Sequence, residues 1–111
     1  MVAYNGRLVK VIRNGYDMYE NETRVRSPGE DPTKRETGEW VPRRLLKVLP
    51  FGTRLVSHSR FMAADQAKTM IDEGSFMSYC SVDDDGDIYI EYAGRRIPLF
   101  WEDCEHLRVV D

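Results

Sequence analysis

The clearest alternation of apolar and polar residues near the N-terminus lies in RLVKVIR, residues 7–13. Leu8, Lys10 and Ile12 fall on one side of an extended chain, and the residues between them fall on the other side. This period of two predicts a β-strand rather than a helix. The later stretches FGTRLVSHS and SFMSYCSV have the same character and predict two further strands.

A turn signal follows the first of these strands. Asn14-Gly15 readily takes the positive φ angles of a type I′ turn, so residues 16 to about 26 are predicted to return antiparallel. The next stretch, residues 27–39, holds two prolines, two glycines and many charges. It is predicted to be a loop, and its length is typical of a functional or mobile segment.

A second hairpin is predicted in the C-terminal half. Asp85-Gly86 provides the turn, and the strand after it places Ile88, Ile90 and Tyr92 on its inward face. The stretch RRIPLF then predicts another strand, and WEDCEHL predicts a turn of 3₁₀ or α-helix before the closing strand.

One segment, FMAADQAKTMIDEG, has helical rather than strand periodicity. Ala63, Met70 and Ile71 share one helical face, and Gly74 stands where a C-cap glycine is common. We therefore predict a short α-helix at about residues 62–73. A helix of this length is not stable alone in water, so it is expected to pack against a sheet.

The only two tryptophans begin two matching segments, WVPRRLLKVL and WEDCEHLRVV. In both, the sixth, seventh and eighth residues after Trp are Leu, a basic residue and Val. The first segment can be read as a helix or as a tight turn followed by a strand, and its match with the second favours the turn and strand. We expect Trp40 and Trp101 to be buried at equivalent positions, each followed by a short closing strand.

This order of elements, in which a hairpin precedes a tryptophan, a helical turn and a final short strand, resembles the SH3-like small barrel. That group includes Tudor-type and KOW-type modules. Residues 52–110 match the layout best, and residues 6–49 match it less well. The resemblance implies a mainly β protein with one short α-helix, built from two tandem, mutually packed SH3-like barrels. The first barrel is expected at residues 1–50 and the second, which carries the helix, at residues 51–111.

Charge is divided unevenly along the 111 residues, whose net charge is −3. Residues 1–60 hold 12 Lys or Arg and 7 Asp or Glu, whereas residues 61–111 hold 4 and 12, so the halves carry +5 and −8. This division indicates a charged binding surface, mutual attraction between the halves, or solvated faces that differ in sign. No apolar run suits a membrane span and two cysteines are too few for a disulfide framework, so a cytoplasmic protein is expected.

The calcium-binding pattern is incomplete. Asp83, Asp85 and Asp87 resemble the start of a calcium loop. Ile88 stands where that loop requires glycine, and Gly94 stands where it requires a bidentate Glu. An acidic hairpin explains the same residues without a metal.

Zinc and nucleophile patterns are also weak. Cys80, Cys104, His58 and His106 supply four zinc-type ligands by number, but none of their spacings is a paired C-x-x-C. No glycine-rich oxyanion loop or orienting group accompanies them. We therefore expect no enzyme activity, no cofactor and no bound metal.

Two charged sets remain as candidates for function. Arginines near aromatic residues bind phosphates and bases or anchor protein interfaces. An acidic face repels phosphate and attracts a basic protein patch. The basic set, near Tyr16, Tyr19 and Trp40, consists of Arg24, Arg26, Lys34, Arg35, Arg43 and Arg44, and the acidic set consists of Asp83, Asp84 and Asp85.

These features favour a noncatalytic protein-binding module that binds a target protein through charged loops. The small size is typical of an accessory regulator or inhibitor, and a phage origin is one hypothesis. The alternative is a nucleic-acid-binding module of KOW type that uses the basic first half, residues 24–44. The sequence does not indicate an oligomeric state.

Overall fold

The computed structural model describes residues 1–15, 20–30 and 38–110, which are mainly β as predicted. Within these ranges, 3₁₀ segments at Arg43–Leu45 and Trp101–His106 each stand shortly before a short strand, and no helix is long and apolar enough to cross a membrane. The strands are β1 (Val2–Tyr4), β2 (Arg7–Asn14), β3 (Glu22–Arg26), β4 (Glu39–Pro42), β5 (Lys47–Val48), β6 (Arg54–Ser57), β7 (Phe61–Met62), β8 (Met70–Ile71), β9 (Phe76–Val82), β10 (Ile88–Tyr92), β11 (Arg95–Leu99) and β12 (Leu107–Val109).

The described strands form two larger antiparallel sheets with the same strand order. In the first sheet the order is β4-β3-β2-β1-β5, so four strands meander and the fifth returns beside the first. In the second the order is β11-β10-β9-β6-β12, and its last strand likewise pairs with its first. The small hairpin β7–β8 is inserted between the first two strands of the second sheet. The described pairings close neither sheet into a barrel.

The repeated sequence ending corresponds to a repeated piece of structure. Leu46 and Leu107 each follow a 3₁₀ segment in an extended conformation and lead into the strand that returns beside the first strand of the sheet. The predicted turn and closing strand are therefore confirmed in both halves.

The tryptophans of the repeat are not equivalent. Trp101 begins its 3₁₀ segment and is buried in the larger core. Trp40 lies within β4, is only partly buried and belongs to neither core cluster. The expectation that both are buried at equivalent positions is wrong, because Val41 takes the inward position of β4.

The first predicted hairpin exists, but its turn is misplaced. β2 and β3 pair antiparallel, and within that pairing Asn14 still stands opposite Thr23. The Gly15 N–H donates a hydrogen bond to the Glu22 carbonyl at 2.8 Å. Asn14-Gly15 therefore continues the paired strands and does not form the type I′ turn.

The second predicted hairpin is confirmed. β9 and β10 pair antiparallel across a turn in which Gly86 has a φ of +87°. The Gly86 N–H donates to the Asp83 carbonyl at 3.1 Å. Ile88 and Ile90 are fully buried in the larger core, as the alternation predicts, and Tyr92 packs against the same core while partly exposed.

The segment predicted as an α-helix, residues 62–73, contains the β7–β8 hairpin instead. Phe61 and Ala63 are buried in the larger core, whereas Met62 between them is exposed. Ile71 on the partner strand is also buried. This alternation is typical of a strand, so the helix prediction is wrong.

Side-chain bonds at the turn explain why the helix does not form. The Asp65 carboxylate accepts hydrogen bonds from the Thr69 N–H at 2.8 Å and from the Thr69 hydroxyl at 2.5 Å, and Lys68 takes a φ of +50°. Asp and Thr side chains compete with helical backbone bonds in this way. The hydrogen bonds from Thr69 also lower the pKa of Asp65, and the bond from the hydroxyl has the larger effect.

Strand β2 joins the two sheets near its start, where Leu8 and Val9 are buried on opposite sides of the strand. Leu8 packs in the larger cluster, most of whose residues belong to the second half of the chain. Val9, on the other side of the strand, packs with Val25 and Val41 in a smaller cluster inside the first sheet. We call the side of the first sheet that carries Leu8 its outer side. This side contacts the second half of the chain near Leu8 and faces outward at the other end of β2.

Candidate partner-binding surface

A basic and aromatic row crosses three strands on the outer side of the first sheet. In the pairing register, Arg13 of β2 stands beside Arg24 of β3, and Arg24 stands beside Trp40 of β4. Side chains of directly paired residues share one face of a sheet. The Arg13 guanidinium extends along the row and lies over the Trp40 ring, 5.4 Å from its centroid. Two guanidinium groups and one aromatic ring are thus held together.

Burial of the neighbouring valines turns this row outward. Val25 and Val41 are almost fully buried on the inner side of β3 and β4, so the alternation of side chains places Arg24 and Trp40 on the outer side. A register irregularity in β2 just before Arg13 brings that residue into line with Arg24. The row is therefore set by the core pattern and by one irregular position.

Two further basic residues extend the row toward the second sheet. Arg26 lies two residues from Arg24 on the same side of β3, and its pairing partner in β2 is Lys10. The Nζ atom of Lys10 lies 4.6 Å from the ring centroid of Trp101. The buried Nε of Arg26 has no hydrogen-bond partner within the described part of the chain. We define the basic–aromatic surface as Lys10, Arg13, Arg24, Arg26 and Trp40.

Glu30 bridges the two described ends of the segment predicted as a loop, residues 27–39, of which residues 31–37 lie outside the described part of the chain. Its carboxylate accepts hydrogen bonds from the Ser27 N–H at 3.1 Å and the Gly38 N–H at 2.7 Å. Gly38 has a φ of +94°, and a Cβ there would lie 2.7 Å from the Val25 carbonyl oxygen. A side chain at this position is excluded both by the backbone conformation and by the lack of space.

The structure brings together only part of the basic set that the sequence suggested. Arg24 and Arg26 belong to the basic–aromatic surface. Arg43 and Arg44 lie in the first 3₁₀ segment and line a separate pocket. Outside the described residues lie Lys34, Arg35, Tyr16 and Tyr19.

Arg43 and Arg44 differ in their surroundings. The Nε of Arg43 donates to the Thr23 hydroxyl at 3.1 Å, and its Nη2 donates to the Glu22 carbonyl at 3.1 Å. Arg43 therefore fastens the 3₁₀ segment to β3. Arg44 is exposed, and its side chain makes no hydrogen bond or ion pair with the described residues.

The acidic hairpin is partly structural. The Asp83 carboxylate accepts hydrogen bonds from the N–H groups of Asp85 and Asp87, each at 3.0 Å. Asp87 in turn accepts the Trp101 N–H at 3.2 Å, at the start of the second 3₁₀ segment. Asp84 and Asp85 are exposed, so they are the two of the three predicted acidic residues whose carboxylates face solvent.

A charged side chain of each half lies against the other half. Lys10 of the first sheet lies against Gly86 of the acidic hairpin. A Cβ placed on Gly86 would be only 2.2 Å from the Nζ atom of Lys10. On the other side of the junction, the Glu105 carboxylate lies beside Gly29, 3.0 Å from where a Cβ would stand. One charged side chain of each half thus reaches the other half, whereas the ion pairs found among the described residues, Arg60–Asp72 and Glu105–His106, lie within the second half.

The cysteine and histidine side chains have structural surroundings. Both cysteines are free, and burial raises the pKa of the Cys104 thiol, which favours its protonated, unreactive form. His106 hydrogen-bonds Ser59 and stacks on the Phe61 ring with centroids 5.0 Å apart. In the described ranges, no three side chains of the metal-ligating types are grouped together.

Sequence reasoning missed Lys10 and Arg13 as members of the surface. Both lie in RLVKVIR, where alternation predicts opposite sides for them, and the irregularity that reverses this has no clear sequence signal. Comparisons of the chain with known protein families, with curated proteins and with solved structures give no match. Function is therefore inferred from the geometry of the surface alone.

Proposed function

We propose that the chain is a noncatalytic protein-binding module that binds an acidic segment of a partner protein through the basic–aromatic surface. The observation that carries this proposal is the row of Arg13, Arg24 and Trp40 across three paired strands. A guanidinium group matches a carboxylate through two parallel hydrogen bonds, and a neighbouring ring limits its motion. Arg and Trp are also the residue types that contribute most often to strong protein interfaces.

We further propose that the two sheets are tandem, mutually packed SH3-like barrels with a boundary near residue 50. Their identical strand order supports this, as does the 3₁₀ segment before each closing strand. The strands of the first sheet all precede residue 49, and those of the second all follow residue 53. The shared core at Leu8 makes the pair one binding unit.

The charges of the second half favour an acidic protein segment over a nucleic acid. Asp84, Asp85 and Glu102 are exposed there and repel a long phosphate backbone. A short acidic segment that follows the row from β4 to β2 contacts the first sheet, whereas these carboxylates belong to the second half of the chain. The nucleic-acid alternative is favoured by Trp40, since an aromatic ring beside arginines can stack on a base.

A module of this kind would act as a small accessory regulator or inhibitor. The free thiols of Cys80 and Cys104 suit a reducing, cytoplasmic setting, which we also propose. Binding a target through one charged surface requires no catalytic group.

Affinity capture from a lysate, with and without nuclease, tests the proposed function. The tagged protein is compared with a double variant, Arg13→Gln with Arg24→Gln, and with the control Arg60→Gln, which removes an exposed guanidinium beside Asp72 in the second half. We expect the double variant to lose the partner and the control to retain it, both in the presence of nuclease. Loss of captured material on nuclease treatment would support the KOW-type alternative instead.

A further inference from the structure

A groove lies between the two halves of the chain, separate from the basic–aromatic surface. Its volume is about 590 Å³, within the range of small-molecule sites. Lys47 and Leu49 line it from the first half, and Val56, His58 and Arg108 line it from the second.

Strand register explains why basic residues from both sheets line this groove. Lys47 pairs with Ala3, whose side chain is buried in the larger core, so Lys47 lies on the side of the first sheet that faces the second half. Arg108 pairs with Val56 on the outer side of the second sheet, and His58 follows two residues later in sequence. Lys47 from the first sheet and Arg108 from the second therefore line one groove.

Lys47 and Arg108 hold the same place in the sequence repeat, because each follows the leucine that leads into a closing strand. Arg108 is held in position, with its Nη1 donating to the carbonyls of Glu105 at 2.8 Å and Leu107 at 2.7 Å. The side chains of Lys47 and His58 make no hydrogen bond or ion pair with the described residues.

The lining of the groove contains no carboxylate among the described residues. An anion in this groove would be attracted by the charges of both Lys47 and Arg108. Leu45, Leu49 and Val56 add apolar surface beside the charges. An inorganic anion would leave this apolar part of the groove in contact with water.

We propose that the groove binds a ligand with a carboxylate head and a short apolar body. The head lies between Lys47 and Arg108, where the Nε and Nη2 groups of Arg108 are free of hydrogen bonds to the described chain. The body covers Leu49 and Val56. This chemistry occurs in a small aliphatic carboxylic acid and in the C-terminus of a peptide that ends in an apolar residue.

Backbone NMR titration of the full chain tests the proposal with four probes. Octanoate is compared with octanol, and a tetrapeptide that ends in Val-Leu is compared with the same peptide amidated at its C-terminus. We expect a carboxylate probe to shift the amides of Lys47, Val56 and Arg108 and to bind at least five-fold more tightly than its neutral counterpart. Octanoate binding alone identifies a small acid as the source, and peptide binding alone identifies a protein C-terminus; either result supports the proposal.

Variants separate a specific site from general charge attraction. Lys47→Met and Arg108→Met should each weaken carboxylate binding at least five-fold, and Arg108→Lys should recover part of the loss. Lys68→Met removes an exposed cation outside the groove and should leave the affinity unchanged. Equal binding of charged and neutral probes, equal effects of the variants at positions 47 and 68, or no binding of either carboxylate would overturn the proposal. None of these results depends on the basic–aromatic surface.

Discussion

Replacing Trp101 with alanine should destabilise the protein far more than the same change at Trp40, although the two residues hold the same place in the sequence repeat. Trp101 is 8% exposed and packs in the larger core, whereas Trp40 lies in neither cluster. A buried aromatic side chain removes about 150–250 Å² from water, which corresponds to about 4–6 kcal/mol at about 25 cal/mol per Å². Large aromatic residues deleted from cores cost about 3–5 kcal/mol in measured cases.

We therefore expect Trp101→Ala to lower the free energy of unfolding by about 3–5 kcal/mol, with about 0.5–1 kcal/mol of this from the lost contact with Lys10. Trp40→Ala should cost less, because Trp40 is only partly buried and packs in neither core cluster. Small domains have about 5–15 kcal/mol of stability in total, so the first change brings the chain close to unfolding.

Urea titration followed by circular dichroism measures both costs. Trp101→Phe and Trp40→Phe keep an aromatic ring and give the same ranking with smaller losses, so the comparison holds even if Trp101→Ala does not fold. The slope of the free energy against urea should be the same for all variants that fold. If the Trp40 variants lost as much stability as the Trp101 variants, the unequal burial of the two tryptophans would be refuted.

Three further predictions concern one glycine position and two carboxylates. Gly38→Ala should cost more in urea titration than Gly74→Ala, because both positions have positive φ but only position 38 lacks space for a Cβ; equal costs would contradict this. Asp83→Ala should cost about 1 kcal/mol through the loss of two accepted hydrogen bonds, whereas Asp84→Ala should leave the melting temperature nearly unchanged. The pKa of Asp65 is lowered from its usual 3.8 in the folded state, so its carboxylate stabilises the fold above pH about 4 and this contribution is lost as the pH falls through the lowered pKa. Asp65→Asn should therefore be less stable near neutral pH but lose less stability on acidification, and thermal unfolding at a series of pH values measures the difference.

The strands were predictable from sequence because alternation directly reports which side of a strand is buried. Ile88 and Ile90 were placed correctly on the inner side of β10, and the repeated segments correctly indicated a turn and a closing strand. Alternation failed where Met70 and Ile71 could equally be read with a helical period. There the Asp65 side chain decides the outcome, by a hydrogen bond across the turn that periodicity does not detect.

Turn dipeptides identified hairpins but did not fix their position. The first half of the chain has two Asn-Gly pairs, of which Asn5-Gly6 forms the turn between β1 and β2, with φ of +51° and +76°. Asn14-Gly15 has the same local preference but remains between paired strands. Register is set by burial of valines on the inner side of the sheet, which outweighs the preference of a dipeptide.

The candidate site was predictable only in part, for a related reason. Arg24 was identified from composition, yet its neighbours in space, Arg13 and Trp40, lie 11 and 16 positions away in sequence. Pairing across strands brings them together, and a register irregularity decides which residue of β2 stands in the row. Local patterns do not contain that information.

Mapping an acidic peptide onto the full chain by NMR tests the central claim most directly. The titration uses a short Glu-rich peptide and, in parallel, a single-stranded oligonucleotide of equal charge. We expect the peptide to shift the amides of Arg13, Arg24 and Arg26 and the indole N–H of Trp40, with an affinity that exceeds that of the oligonucleotide. Shifts confined to Arg44 or spread evenly over the surface, or tighter binding of the oligonucleotide, would contradict the account.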